Sequence, residues 1–171
     1  MRDIQKSFEE AGKLHGHYCP GLAIGVRAAV EAENILGINC KEQKDLFCIY
    51  ENSACYLDGI QWVFNTSLGK GNIIYHPTGK TVFSFYDSVS GKSVRMHYTP
   101  PKKEMSRAQM QEYILSAPLE ELFVVGPTKL PCPQRTHGSK SQICPICGEA
   151  AAEDKMVMKD GKLLCIDCAG I

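Results

Sequence analysis

Two Cys-x-x-Cys pairs close to the C-terminus constrain this chain more than any other feature. Cys144-Pro-Ile-Cys147 and Cys165-Ile-Asp-Cys168 are separated by 17 residues. Each pair fits a tight turn, and four thiolates so presented close a tetrahedral site with metal–sulfur distances of about 2.3 Å. Gly148 suits a turn that must fold back directly after the first pair. Residues 156–158 and 162–164 flank Asp160-Gly161, the signature of a β-hairpin that would carry the second pair to the first. A redox Cys-x-x-Cys normally heads a helix in a βαβ setting and needs only one pair, so the expectation is a structural four-cysteine zinc ribbon over residues 143–171. Such a segment cannot bury enough apolar surface alone, and zinc would supply its folding energy. With all four positions filled by sulfur, no coordination site is left open for catalysis.

The whole chain has 171 residues, nine of them cysteine, with 19 basic and 19 acidic side chains. An even charge balance argues against a protein that works by neutralising nucleic-acid phosphates. Within the ribbon, Lys155, Lys159 and Lys162 face Glu149, Glu153, Asp154, Asp160 and Asp167, so a protein-facing ribbon is expected, with no nucleic-acid partner. No window reaches the 18 or so apolar residues of a membrane span, and the first residues lack the apolar core of a signal peptide. The expected location is cytoplasmic, where cysteines serve metals or chemistry before disulfides.

Ahead of the ribbon the pattern is mixed. Residues 3–14 place Ile4, Phe8, Ala11 and Leu14 at helical spacing. Residues 20–37 read as a second helix, with Pro20 at its first position, Gly37 just past its end, and an apolar side broken only by Glu33. Residues 46–50 form a short apolar run that fits a buried strand, and 55–65 read as a helix. Strands over 73–75, 81–86 and 93–98, split by turn residues, suggest a meander. A helix over 104–116 and a strand over 122–125 follow. Residues 126–142, rich in proline and glycine, read as a linker. The expected fold class is α+β, with helices packed on a mainly antiparallel sheet. Its domains would be a core over 1–125, a linker over 126–142 and the ribbon over 143–171.

A second constellation lies in the core. His15-Gly-His17-Tyr-Cys19-Pro-Gly21 packs two imidazoles and a thiol into a few residues ahead of a helix. Cys19 would stand at or beside the N-cap, where the helix dipole and free backbone N–H groups lower a thiol pKa. Gly16 and Gly21 would let the backbone bend there. Cys55 repeats the arrangement at the next helix, with Asn52 or Ser53 as cap and Asp58 one turn along. If the two helix N-termini point at one cleft, His17, Cys19 and Cys55 offer ligands for a second metal ion, zinc by preference, with one position open. His15 would be a neighbour of that site or simply a helix end. Asp58 and Cys19 would handle protons. Leu68-Gly69-Lys70-Gly71-Asn72 reads as a glycine-rich turn or as an anion site using Lys70 near the cleft. Candidate catalytic residues are therefore Cys19, Cys55, Asp58 and Lys70. Cys40, Cys48 and Cys132 read as structural or surface thiols, and Cys132 with His137 could take up a metal adventitiously.

These stretches resemble the FmdE-like family, named for a component of formylmethanofuran dehydrogenase: His15 to Gly21, Glu51-Asn-Ser-Ala-Cys55-Tyr-Leu-Asp58-Gly-Ile-Gln61, and Leu68 to Asn72, joined by Thr78-Gly79-Lys80 and Ser93-Val94-Arg95. The resemblance covers about residues 10–125. It implies an α+β core that pairs as a homodimer, with a zinc ribbon appended, and a Cys/His active site mapping onto His17, Cys19 and Cys55. In the family Gly-Cys-Thr often precedes the glycine-rich turn; here Asn65-Thr66-Ser67 stands there, so Thr66 replaces a thiol. The implied function is a metal-binding accessory of molybdenum or tungsten formylmethanofuran dehydrogenase or a related oxidoreductase, with its subunits as partners. The alternatives are a small stand-alone metalloenzyme with an open zinc-like site, and a regulatory interaction module.

Overall fold

Helix caps written into the sequence set the first elements of the structure, a computed structural model that describes residues 2–134, 138 and 140–171. Asp3 accepts a hydrogen bond from the Lys6 N–H and opens α1 (Ile4–His15); Gly16 closes it in the left-handed region, at φ 82°. Pro20 begins α2 (Pro20–Leu36), which Gly37 ends at φ 67°. Then come β1 (Leu46–Tyr50), α3 (Tyr56–Phe64), β2 (Ile73–Tyr75), β3 (Val82–Asp87), β4 (Lys92–Tyr98), α4 (Arg107–Ser116), α5 (Leu119–Leu122) and β5 (Phe123–Gly126). Ser106 and Gln109 form a capping box, so α4 starts three residues later than residues 104–116 predict. On α1, Phe8 and Ala11 are buried but Leu14 is exposed, because it lies in the last turn, beyond the helix's packed face.

The chain divides into two compact units, Met1–Pro133 and Gln134–Ile171. In the first, the sheet order is β2-β1-β3-β4-β5. The β1–β3, β3–β4 and β4–β5 pairs are antiparallel and β1–β2 is parallel. This is the expected α+β class with a mainly antiparallel sheet. The expected meander, however, is interrupted, since β1 lies between β2 and β3. All five residues of β1 are buried. Leu46, Cys48 and Tyr50 face the helices, while Phe47 and Ile49 join Tyr86 on the other face, with Ile74 and Leu130 against them. A strand covered on both faces reads as an unbroken apolar run.

The α2 helix is buried nearly all round, not along one side. It packs against α1, α3, α4 and the sheet, and its many alanines and glycines make that crowding possible. Its polar residues are used inside. Arg27 donates from Nη1 to the carbonyls of Ile114 and Leu115 at 3.1 and 3.3 Å, satisfying the end of α4. Glu33 takes a bidentate pair from Arg2 at 2.6 and 2.8 Å and the Cys40 N–H at 2.8 Å. Burial pushes the Glu33 carboxyl up, but the bonds from Arg2 and Cys40 outweigh it, and its pKa lies below the ordinary value. A carboxylate depressed in the folded state stabilises above its unfolded pKa and loses that contribution as pH falls through the folded value. Glu33→Gln is therefore expected to cost about 2 kcal/mol at neutral pH. Thermal denaturation of the variant should also show a shallower loss of stability below about pH 4.5 than the wild type. Parallel acid limbs for the two proteins would show that the pair contributes nothing.

The segment expected to be a plain linker is partly packed. Tyr86 Oη donates to the Leu130 carbonyl at 2.9 Å, and Ser93 Oγ lies 3.0 Å from Thr128 Oγ1. Residues up to Pro133 thus belong to the first unit. His137 lies outside the described residues. Cys40 and Cys48 are buried and Cys132 is exposed, and burial pushes the first two thiols up.

The second unit consists of β6 (Ser141–Ile143) paired with β7 (Ala150–Ala152), a 3₁₀ turn over Glu153–Lys155, β8 (Val157–Lys159) paired with β9 (Lys162–Leu164), and α6 (Ile166–Ala169). Asp160 and Gly161 both have positive φ, 50° and 73°, as a two-residue hairpin turn requires. The β6–β7 hairpin and α6 go beyond what the sequence pattern predicts.

Candidate metal centres

In the second unit Cys144, Cys147, Cys165 and Cys168 bring their sulfurs within 4.8 Å of one another. Cys147 and Cys165 Sγ are 3.9 Å apart. Sulfurs about 2.3 Å from a tetrahedral zinc ion stand about 3.8 Å from each other, so the set fits zinc. Backbone N–H groups of Cys147, Cys165 and Ile146 pull the Cys144 thiol down to about 6. Its neighbours, Cys165 first, push the Cys168 thiol up to about 12. All four could ionise together only with a cation among them, as a bound zinc ion would provide.

The core constellation also converges. His15, His17, Cys19 and Cys55 each offer one ligand atom, all within 4.8 Å of one another. Cys19 is the N-cap of α2, in extended conformation, and its Sγ accepts the Leu22 N–H at 3.3 Å. Cys55 stands at the same position of α3 but has helical dihedrals and makes no capping bond. Asn52, expected as a cap, instead accepts the Ser53 N–H with its side chain. Burial and the adjoining Cys19 push the Cys55 thiol up, the reverse of a lone thiol at a helix N-terminus.

Glycines explain why the two helix ends meet. A Cβ on Gly25 of α2 would lie 1.9 Å from the Tyr56 carbonyl oxygen of α3. A Cβ on Gly59 of α3 would lie 2.7 Å from the Val26 nitrogen of α2. The backbones touch at this crossing. Gly21 continues it: its Cβ would meet Cys55 Cβ at 3.1 Å. Gly21 therefore serves close approach, not a bend, whereas Gly16 with φ 82° does turn the chain.

His15 is a full member of the cluster, although its place in the sequence puts it at the margin. Its Nδ1 lies 2.6 Å from Asp58 Oδ2, and its Nε2 faces Cys19 Sγ at 3.9 Å. A carboxylate that holds one ring nitrogen fixes the tautomer and presents the other nitrogen as a ligand. Asp58 also accepts from Gln61 Nε2 at 3.3 Å, so its carboxylate is shared between His15 and Gln61. The His15 and His17 rings lie 4.2 Å apart between centroids. Four candidate donors stand here in place of the expected three, enough to fill a tetrahedral shell if all four bound one ion. His17 is the exposed member of the four.

Lys70 is not brought to this site. Its Nζ donates to the Asn65 carbonyl and to Asn65 Oδ1, at 3.1 and 2.6 Å. Asn65 caps the C-terminal end of α3, a nine-residue helix about 13 Å long with Cys55 at the opposite end. Thr66 lies at that far end too, buried, with Oγ1 unpartnered among the described residues, so it does not stand in for a thiol beside Cys55. The glycine-rich turn is anchored by Asn72, whose side chain is buried and bonds to the Leu46 carbonyl and the Ser67 N–H.

An α+β core with a two-histidine, two-cysteine cluster and a separate four-cysteine finger defines a two-centre candidate metalloprotein. Residues 14–124 match the family described as FmdE, molybdenum formylmethanofuran dehydrogenase operon, and the chain belongs to that family. Residues 138–171 match the prokaryotic dksA/traR C4-type zinc finger. Among solved structures it is similar to a tungsten formylmethanofuran dehydrogenase FmdE-like protein from Syntrophus aciditrophicus, with a TM-score of 0.72 and 22% identity, over 98% of this chain and 92% of that one. That likeness establishes the fold. Among curated proteins it is 27% identical, over 94% of its own length, to a "Probable S-adenosyl-L-methionine-binding protein" of Archaeoglobus fulgidus. The chain spans 51% of that relative. No helix among the described residues is long and apolar enough to cross a membrane.

Proposed function

We propose that this FmdE-family chain is a two-centre metal-binding protein that serves a molybdenum or tungsten oxidoreductase of the formylmethanofuran dehydrogenase kind. The observation that carries the proposal is the convergence of His15, His17, Cys19 and Cys55 on one point, with Asp58 holding His15. Two imidazoles and two thiolates suit a zinc-class ion. The bound ion would supply Lewis acidity; the chain's own residues hold the ligand geometry and leave His17 as the ligand nearest solvent. A complete donor set supports a metal-holding role over a stand-alone hydrolytic site, which needs an open position. The four-cysteine finger would be structural and would face a protein partner. The same reading makes the protein a cytoplasmic homodimer with no nucleic-acid partner.

Metal analysis of the full chain, purified in reductant without chelator, tests the first half. One ion for each of the two clusters is expected. Cys19→Ser and Cys55→Ser should each remove the core ion and spare the other. Asp58→Asn should keep the ion but weaken its affinity by about 10- to 100-fold. A well-folded chain whose metal content is indifferent to Cys19 and Cys55 would eliminate the core centre. Sedimentation of the loaded protein at about 10 µM, alone and with formylmethanofuran dehydrogenase subunits, tests pairing and partnership. A monomer that sediments independently of those subunits would defeat the accessory role.

A further inference from the structure

On the sheet face turned away from the helices, β1 and β4 place a charged group that the metal centres do not use. Residue alternation puts Glu51, just past β1, and Arg95, in mid-β4, on this face. Arg95 Nη2 donates to Glu51 Oε1 at 3.0 Å, and Thr78 Oγ1 donates to Glu51 Oε2 at 2.5 Å. Glu51 is buried, and its carboxylate is held below the ordinary pKa: burial opposes this, and Thr78 and Arg95 prevail. Above the pair lies a pocket of about 130 Å³, also lined by His76, Lys80 and Lys129.

Three features of this pocket point to a ligand. First, Arg95 Nε is buried and has no hydrogen-bond acceptor among the described residues. A desolvated guanidinium N–H without an acceptor costs free energy comparable to a lost hydrogen bond, and the charge of an anion in the pocket beside it would offset that cost. Second, the charges do not balance. Arg95, Lys80 and Lys129 face a single carboxylate, which leaves two positive charges for an incoming group. Third, the donors come from separate stretches: Arg95 from β4, Lys80 from the turn after β2, and Lys129 from the segment packed across the sheet. At about 130 Å³ the space holds several waters and so has room for a tetrahedral oxyanion.

We propose that this pocket binds a phosphate-class dianion. Arg95 supplies the buried floor, Lys80 and Lys129 the exposed rim, and Glu51 holds the guanidinium in place while Thr78 and the backbone fix Glu51. The Gly79 N–H donates to the Glu51 carbonyl at 2.8 Å and the Glu51 N–H to the Val82 carbonyl at 3.1 Å, so the turn bearing Lys80 is tied to the same floor. An arginine with a lysine pair matches the several acceptor oxygens of phosphate. The site is independent of the metal reading, since it shares no residue with either cluster.

Isothermal titration of the full chain with inorganic phosphate, against sodium chloride at matched ionic strength, tests it. Saturable binding of one phosphate per chain is expected, with a Kd of about 1 mM or tighter. The K80Q/K129Q double variant removes only exposed side chains and should fold as the wild type does, yet weaken binding by about tenfold or more. Methyl phosphate separates the sources: binding equal to inorganic phosphate identifies the phosphate group of a larger molecule, and exclusion of the ester identifies the free ion. Absence of saturable binding at about 10 mM phosphate overturns the proposal. So does binding that K80Q/K129Q leaves unchanged, which would place the anion elsewhere, a metal centre included.

Discussion

Replacing Cys165 with serine is expected to unfold residues 140–171 while the first unit stays intact. The buried part of the second unit is small: Cys144, Met156, Leu164 and Ala169, with a few partly buried neighbours. Its strands are three residues each and its helix four. Burial on that scale does not offset the conformational entropy of ordering so many residues, at about 1–2 kcal/mol each for the backbone alone. Zinc binding of a four-cysteine set contributes about 10 kcal/mol or more, and only the folded unit collects it. A serine at one corner removes a thiolate, and the remaining three hold the ion far more weakly. In an amide NMR spectrum, dispersed resonances of residues 140–171 should collapse to random-coil positions, and chelator should do the same to the wild type. The first unit's melting transition should not move. A variant whose finger keeps dispersed resonances would show that the unit folds without its metal.

Gly25→Ala should be the most damaging single methyl in the first unit. Alanine is the better helix former by about 1 kcal/mol, so helix propensity alone predicts stabilisation. The close crossing of α2 and α3 reverses the sign. The added carbon would lie 1.9, 2.6 and 2.7 Å from the O, C and Cα atoms of Tyr56, all backbone, so no side chain can swing away. The helices must separate, with a cost of about 3 kcal/mol or more and a fall in Tm of about 10 °C. Separation also parts Cys19 from Cys55, and the core ion should bind more weakly. Gly69→Ala is the control, since nothing lies within 4 Å of its added carbon, and its Tm should stay within about 2 °C. A Gly25→Ala protein as stable as the Gly69→Ala control would show that the helix crossing has slack.

Some parts of this molecule are legible in the chain because their causes lie close together along it. Pro20 and Gly37 bound α2, and Asp160-Gly161 turns β8 into β9, each through dihedral preferences of one or two residues. The spacing of Cys144, Cys147, Cys165 and Cys168 alone speaks for a closed tetrahedral site. Other features are hidden because sequence distance carries no sign of them. The parallel pairing of β1 with β2 joins residues some 25 apart along the chain, across a helix. Nothing along the chain shows that Asn65 holds Lys70, or that Asp58 meets His15, 43 residues away.

By itself, then, the sequence determined the local vocabulary: where helices start and stop, which residues are apolar, and which thiols and imidazoles stand ready as ligands. Tertiary structure alone decided which of them meet. Caps, turns and hydrophobic periodicity act over a few residues. The approach of Cys19 to Cys55 depends on Gly25 and Gly59 meeting across two helices, a steric condition that exists only once both have been packed together.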